Sequence, residues 1–332
     1  MAYTDIDKPS DYFNTKLYTG NATDATGITG VGFQPDMTWI KERSQVRSHV
    51  LFDVIRGATV QLNPNDTASD ATVAASLQSF NSDGFTVGTA TSVNQNTDTY
   101  VSWNWKETAT AGFDIVSYTG DGSEGRNISH SLSAVPAMMI IKNRSGTTNW
   151  IVYHHKNTSA PATEHLKLNL TDATADDDST WDDTAPTSSV FRVKSSSSVN
   201  GDGSNYIAYL FAEKQGYSKF GSYVGNGNAD GTFVYTGFSV GWVMIKNIDT
   251  GSTAWVIQDS KRSSSGGGNQ ADKRLRANAS NAEETDSPVD LLSNGFKIRS
   301  TGSFTSDANT FIYMAFAENP FVTSTGVPAT AR

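Results

Sequence analysis

The chain is predicted to be all-β, built as three tandem, similar antiparallel β-sandwich domains of jelly-roll or lectin-like type. Three observations predict this: internal repetition, period-two alternation of apolar residues, and turn signals at regular intervals. The first copy carries Tyr18-Thr19-Gly20-Asn21, Trp39-Ile40-Lys41, His49-Val50-Leu51-Phe52-Asp53, Asp83-Gly84-Phe85 and Tyr100-Val101-Ser102-Trp103-Asn104-Trp105. The second answers with Tyr118-Thr119-Gly120-Asp121, Ile140-Ile141-Lys142, Trp150-Ile151-Val152-Tyr153-His154, Val190-Phe191 and Tyr206-Ile207-Ala208-Tyr209-Leu210-Phe211. The third has Tyr223-Val224-Gly225-Asn226, Met244-Ile245-Lys246, Trp255-Val256-Ile257-Gln258-Asp259, Asn294-Gly295-Phe296 and Phe311-Ile312-Tyr313-Met314-Ala315-Phe316. Tyr18, Tyr118 and Tyr223 are 100 and 105 residues apart, and Phe85, Phe191 and Phe296 are 106 and 105 apart. A repeated unit of this size can bury a core of its own, unlike a solenoid repeat, and a chain made of such units tends to present surfaces.

Taken in order, the chain divides into an arm at 1–13, copies at 14–108, 113–215 and 217–318, and a tail at 319–332. In the last anchor of each copy, Val101/Trp103/Trp105, Ile207/Tyr209/Phe211 and Ile312/Met314/Phe316 fall on one face, as in a half-buried strand. Met138-Met139-Ile140-Ile141 and Trp242-Val243-Met244-Ile245 are continuous apolar runs ending in Lys, which predicts central strands buried on both faces. Asp83-Gly84, Gly120-Asp121-Gly122, Asn200-Gly201-Asp202-Gly203 and Asn226-Gly227 supply the turns. Residues 68–77 carry the one helical signal, a short helix at most. Each copy then holds short strands separated by frequent turns, the pattern of an antiparallel sandwich. With separate cores, replacing Trp103, Tyr209 or Met314 by Ala unfolds mainly the copy that contains it.

Composition narrows the function. A net charge of −9 disfavours nucleic acid as a partner, since phosphate binding needs a concentrated basic face and the longest basic clusters are Lys261-Arg262 and Lys273-Arg274-Leu275-Arg276. With no Cys, neither disulfides nor thiolate metal sites are expected. The N-terminus lacks a signal-peptide pattern, no apolar run is long enough to span a bilayer, and a soluble protein is expected. No Gly-x-Ser-x-Gly elbow, phosphate loop, His-Glu-x-x-His or dinucleotide fingerprint occurs, so no catalytic residue, metal or cofactor is assigned. A glycosidase needs only two carboxylates, but no copy places an obvious pair on a strand.

Four features invite a functional reading. His154-His155 point to opposite faces of a strand, which suits one buried or hydrogen-bonded ring and one solvated ring better than a metal site. The run Asp176-Asp177-Asp178-Ser179-Thr180-Trp181-Asp182-Asp183 is the candidate ligand site, with Trp181 as a sugar-stacking platform or a calcium-loop neighbour; because the Asp spacing is not that of an EF-hand loop, a solvated loop whose Trp folds back onto the sandwich or into a neighbouring subunit is the preferred reading. Lys41, Lys142 and Lys246 recur at strand ends, which points to a fold requirement such as snorkelling over the core. In the arm, Tyr3, Ile6, Tyr12 and Phe13 are too few to form a core, so they are expected to order against the first copy or another subunit. Deleting residues 2 to 11 is then expected to leave a folded protein that assembles poorly.

The opening Lys8-Pro9-Ser10-Asp11-Tyr12-Phe13-Asn14-Thr15-Lys16-Leu17-Tyr18-Thr19-Gly20-Asn21 resembles a repeat domain of marine bacteriophage structural proteins, tail-fibre-like or lectin-like. So do Gly30-Val31-Gly32-Phe33-Gln34-Pro35-Asp36, Ser79-Phe80-Asn81-Ser82-Asp83-Gly84-Phe85-Thr86-Val87-Gly88 and Val101-Ser102-Trp103-Asn104-Trp105-Lys106. The likeness is strongest in copy one, continues from Phe113 to Lys142 and fades in copy three. It implies a non-enzymatic virion protein, assembled in the host cytoplasm and displayed on the particle exterior as a head decoration, fibre or tail appendage. Its expected partners are other virion proteins. The alternative is an adhesin for host surface glycans, or a polysaccharide-degrading tail protein, in which repetition supplies avidity. The 11% aromatic content predicts aromatic contacts between copies or subunits, Trp181 and Tyr235 among them, and a homotrimer that covers the edge strands.

Overall fold

Each copy has an antiparallel main sheet; in copies one and two a smaller separate sheet backs it, in copy three the outer strands continue the main sheet into one of eight strands, and the three main sheets face one another around a shared core. The computed structural model describes residues 2–263 and 268–328, so residues 329–332 of the expected tail lie outside it. In copy one the main sheet runs Phe13–Thr19, Thr99–Trp105, Met37–Glu42, Val50–Asp53. Copy two repeats that order with Phe113–Thr119, Asn205–Phe211, Met138–Asn143, Ile151–His154, and copy three with Ser218–Val224, Thr310–Pro320, Phe238–Asn247, Val256–Asp259. First and last strands of a copy pair directly: Tyr18 lies opposite Tyr100, Tyr118 opposite Tyr206, and Tyr223 opposite Phe311.

That pairing explains the most regular anchor. The three tyrosines stack on their partners at 5.0, 5.1 and 5.1 Å. Each hydroxyl donates to a carbonyl of the loop beyond, Val93, Val199 or Thr305. Two residues on, Gly20, Gly120 and Gly225 pass so close to the backbone that a Cβ would sit 2.1, 2.2 and 2.0 Å from the carbonyl oxygens of Gln95, Gly201 and Asp307. Only glycine permits that approach.

Alternation along the main strands sends residues to two cores. Met37, Trp39, Val101, Trp103 and Trp105 enter the shared core, while Ile40, Val50, Phe52 and Tyr100 face copy one's outer sheet. In copy two Met138, Ile140, Ile207, Tyr209 and Phe211 point inward, and Met139, Ile141, Tyr206 and Leu210 outward. Trp242, Met244, Ile312, Met314 and Phe316 against Val243, Ile245, Phe311 and Tyr313 repeat the division in copy three. At the centre Trp105, Phe211 and Phe316, one from each copy, meet with ring centroids 5.8 to 6.4 Å apart.

Two expectations change here. The last strand of each copy is buried on both faces, not half-buried, because its second face carries Tyr, Leu or hydrogen-bonded polar groups such as Asn104, which donates to the Asn14 carbonyl. Nor are the cores fully separate. Each copy keeps an outer cluster, but Trp103, Tyr209 and Met314 all belong to the shared one.

The seams between copies repeat in cyclic order. Asp70 N–H donates to the Arg144 carbonyl, Thr174 to Ile248 and Glu283 to Arg43. The Trp150 and Trp255 indoles donate to the Asn63 and Lys167 carbonyls at 3.1 and 3.0 Å. His49 stands in the same position at the third seam, its Nε2 3.0 Å from the Arg276 carbonyl. Copy three therefore closes back onto copy one, and this seam has no chain connection. Arg43 compensates by gripping Glu283 with two hydrogen bonds of 2.9 and 2.8 Å.

Lys142 and Lys246 are seam elements as well, whereas Lys41 Nζ donates within copy one, to the Glu42 and Gln45 carbonyls. Their side chains do not snorkel; all three residues are buried. Lys142 Nζ donates to the Thr67, Gly146 and Thr148 carbonyls, and Lys246 Nζ to the Thr171 and Thr253 carbonyls. Thr67 and Thr171 belong to the preceding copy. Burial pushes all three amines down to about 8, and the carbonyl cradles hold the charge that remains.

Residues 68–77 are not helical. Ala71–Thr72 forms a short strand with Val60–Gln61, Val73 N–H donates to the Thr59 carbonyl, and Leu77 opens the outer strand Leu77–Asn81. Backbone partners outside the segment override its Ala and Val content. The arm orders against copy one as expected at its end, where Phe13 packs on Trp105 at 4.9 Å and Lys106 N–H donates to the Tyr12 carbonyl, but it also packs on copy three and on the join between copies two and three. Ile6 and Phe13 enter the shared core, Tyr12 meets the Tyr217 ring edge-on at 6.2 Å, Thr4 Oγ1 donates to the Gln215 carbonyl, and the Tyr3 hydroxyl donates to the Gly237 carbonyl. Replacing Ile6 by Ala should therefore cost about 2–4 kcal/mol. A loss below about 1 kcal/mol in urea denaturation would show the arm to be a loose attachment.

Candidate functional site

The acidic run of copy two is a structural corner. Asp177 caps the one-turn helix Asp178–Trp181 by accepting from Ser179 N–H. Trp181 is 1% exposed. Its ring meets Tyr153 at 5.9 Å and its indole donates to the Glu164 carbonyl at 3.0 Å. The ring folds back into the outer core of its own copy, as the preferred reading of the sequence has it, which corrects the readings of Trp181 as a stacking platform or an intersubunit contact. Asp182 pairs with Arg192, and Asp178 and Asp182 lie 3.7 and 3.9 Å from Lys194 Nζ. Asp176 extends the main sheet in the strand Ala175–Asp176, opposite Glu164. Asp183 holds a left-handed turn at φ 45°. No group of three or more His, Asp or Glu side chains among the described residues is placed to hold a metal ion.

Both members of the His154-His155 pair bond to copy three. His154 Nε2 lies 3.1 Å from the Tyr313 carbonyl and His155 Nε2 2.8 Å from that of Phe220. Burial, then the neighbouring His155, pushes His154 down to about 3, so it is a neutral donor. Tyr235 remains 57% exposed on the edge strand Phe233–Tyr235.

A stronger candidate emerges from comparing the copies position by position. Where all three agree, the fold explains the residue; where one departs, the fold does not require the change. The position after the recurrent lysine is Asn143 in copy two and Asn247 in copy three. Asn143 donates to the Ser197 carbonyl and accepts from Ser145 N–H; Asn247 donates to the Ser303 carbonyl and accepts from Asp249 N–H. Both pin the loop that ends the sheet.

Copy one has Glu42 there, 0% exposed. Arg47 Nε lies 2.6 Å from Oε2. Burial, then a hydrogen bond with Asp98, pushes Glu42 up to about 7. Asp98 stands where copies two and three have Ser204 and Asn309. Beside it Thr97 adopts φ 68°, the angle that Gly203 takes in copy two. A β-branched residue in that region is strained by about 1–2 kcal/mol.

These departures converge on one open depression of about 580 Å³, lined by residues 45–47 and 95–98. Glu42 forms its buried footing through Arg47 and Asp98. Sequence reasoning missed it, although aligning Lys41-Glu42 with Lys142-Asn143 and Lys246-Asn247 carries the signal.

The titration of Glu42 has a definite sign. A carboxyl whose folded pKa is raised contributes stability in full below the unfolded value near 4.5, and that contribution is lost as pH rises through about 7. Glu42→Gln should therefore be about 2 kcal/mol more favourable relative to the parent at pH 7.5 than at pH 4.5. Equal urea midpoint differences at the two pH values would count against a buried, proton-sharing Glu42.

No curated protein and no solved structure matches the chain. A family model described as Domain of unknown function (DUF7483) matches residues 8–320. That single model spans all three copies together, as the shared core requires, and the chain belongs to this family.

Proposed function

We propose that the protein is a non-enzymatic structural component displayed on the exterior of a bacteriophage particle, as a head decoration, fibre or tail appendage. The observation that carries this reading is the use made of the three copies: they close around a filled centre. Aromatic and aliphatic side chains occupy the axis, and the gap left among them is about 10 Å³, too small for a ligand or a conduit. A solid block with surface loops suits a part that is built into an assembly and shows a face. The resemblance of residues 8–21, 30–36, 79–88 and 101–106 to phage structural repeats supports the same conclusion.

Contacts to other virion proteins fit best near the termini. Tyr235, Phe233 and Phe321 are exposed there, and Tyr3 packs on Phe321 at 6.4 Å. Self-association as a homotrimer rests on the edge strands Phe13–Thr19, Phe113–Thr119 and Ser218–Val224, because the aromatic excess that also suggested it is taken up by the shared core. Mass spectrometry of purified particles combined with cryo-imaging of tagged virions tests the proposal. Absence of the chain from intact particles would sink it, and sedimentation velocity of the purified chain reads the oligomeric state.

A second reading, a glycan-binding adhesin, is favoured by the copy-one depression. A degrading enzyme fits that site poorly, because Glu42 is fully buried and in hydrogen-bonding contact with Asp98, whereas glycosidase carboxylates stand at least about 5 Å apart across the scissile bond.

A further inference from the structure

We propose that the depression at the end of copy one's main sheet is a saccharide-binding site, which its counterparts in copies two and three are not. The other two copies act as internal controls. In copy two Asn143 donates to the Ser197 carbonyl and ties down the loop. In copy three Asn247 does the same to Ser303, and Asn309 Nδ2 donates to Thr250 Oγ1. One tie is common to all copies, the backbone N–H of Thr99, Asn205 or Thr310 donating to Ser44, Ser145 or Asp249; the asparagine ties are polar groups that copies two and three spend on the fold.

In copy one they are left available. The side chains of Gln45, Gln95, Asn96 and Thr97 make no hydrogen bond within the described chain, and Arg47 makes none beyond its ion pair with Glu42. Planar amides, a guanidinium and a carboxylate present paired donors and acceptors, the arrangement that matches vicinal hydroxyls. Val46, 69% exposed, offers an apolar contact for the C–H face of a sugar ring.

Charge selects among ligands. Arg47 and Asp98 offset each other at the surface, so neither a polyanion nor a polycation is favoured and a neutral sugar is. The volume of about 580 Å³ falls in the range of small-ligand sites. Glu42 is a positioning residue: fully buried, it holds Arg47 on one side and Asp98 on the other. An open site without an aromatic platform binds weakly, with dissociation constants of about a millimolar, and multiple display would raise the avidity.

The experiment uses the purified full chain. A microarray of neutral glycans identifies a binder, and saturation-transfer NMR with the methyl glycoside of its terminal sugar measures affinity. Asn96→Ala and Arg47→Ala are expected to weaken binding at least tenfold. Asp202→Ala, at the corresponding place in copy two, should leave it unchanged. Glu42→Gln should flatten the dependence of affinity on pH between 6 and 8 without abolishing binding. Absence of any neutral-glycan binder, or binding that survives both copy-one substitutions, overturns the proposal. It does not depend on the virion reading: failure here leaves particle display intact, and absence from particles leaves sugar binding intact.

Discussion

Replacing Trp103 by Ala is expected to destabilise the whole chain by about 4 kcal/mol and to unfold its three copies in one transition. The indole fills the shared core, meets Trp39 and Trp242 at 5.8 and 6.2 Å, and donates to Asp259 of copy three at 3.0 Å. Arg262 lies over its face, 5.6 Å from the ring. Truncation therefore opens a cavity bordered by copies one and three and strips a donor from the buried Asp259 carboxylate of copy three. Urea denaturation followed by hydrogen exchange checks this region by region. Loss of protection confined to copy one would show that the copies are energetically independent.

The second large effect lies at the seam of copies one and two. Asp53 and Arg56 are fully buried, paired at 2.6 Å, and Asp53 also accepts from the Tyr209 hydroxyl of copy two at 2.6 Å. Asp259 and Arg262 repeat the pair at the closing seam, with Trp103 as the donor. The remaining seam uses a different set: His154 and Asn157 stand at the corresponding places, and Met314, which has no donor, takes the place of Tyr209 and Trp103.

Asp53→Ala is expected to cost about 3–5 kcal/mol, because it strands the Arg56 guanidinium without its carboxylate. Transplanting the other solution, as Asp53→His, Arg56→Asn and Tyr209→Met together, should recover most of that loss. The imidazole at position 53 then reaches the Ala208 carbonyl, as His154 reaches Tyr313. Denaturation midpoints of single, double and triple variants measure the coupling. A triple variant no more stable than Asp53→Ala would show that the two seam chemistries are not interchangeable.

What the sequence made legible was local. Stacked Tyr18, Tyr118 and Tyr223, and the glycines two residues on, follow from short-range pattern and were readable as anchors. Ring closure was not, because Trp103, Tyr209 and Met314 look the same whether they fill a private core or a shared one. The alternation of Trp103 and Trp105 with Ser102 and Asn104 signalled a wet face, yet those polar side chains are buried and hydrogen-bonded to each other. Trp181 looked isolated because its neighbour Tyr153 is distant in sequence. The aromatic excess was a true sign of contacts between copies, but those contacts lie inside the chain. Of the candidate site, only the contrast of Glu42 with Asn143 and Asn247 was visible, and only after the copies were aligned.

The seam without a chain connection also governs how the molecule is made. During synthesis, copies one and two emerge with Trp39, Trp103, Trp105, Tyr209 and Phe211 directed at a centre that does not yet exist. Nothing can cover that side until copy three is complete, and at ribosomal rates of about 5–20 residues per second its hundred residues take roughly 5–20 s. Throughout that interval the nascent chain shows an aromatic surface, and the contacts that finally hide it join residues as far apart as Arg43 and Glu283. Such pairings form slowly. The finished chain thus passes through an interval in which its future core is open to aggregation, a hazard set by the order of synthesis and not by final stability.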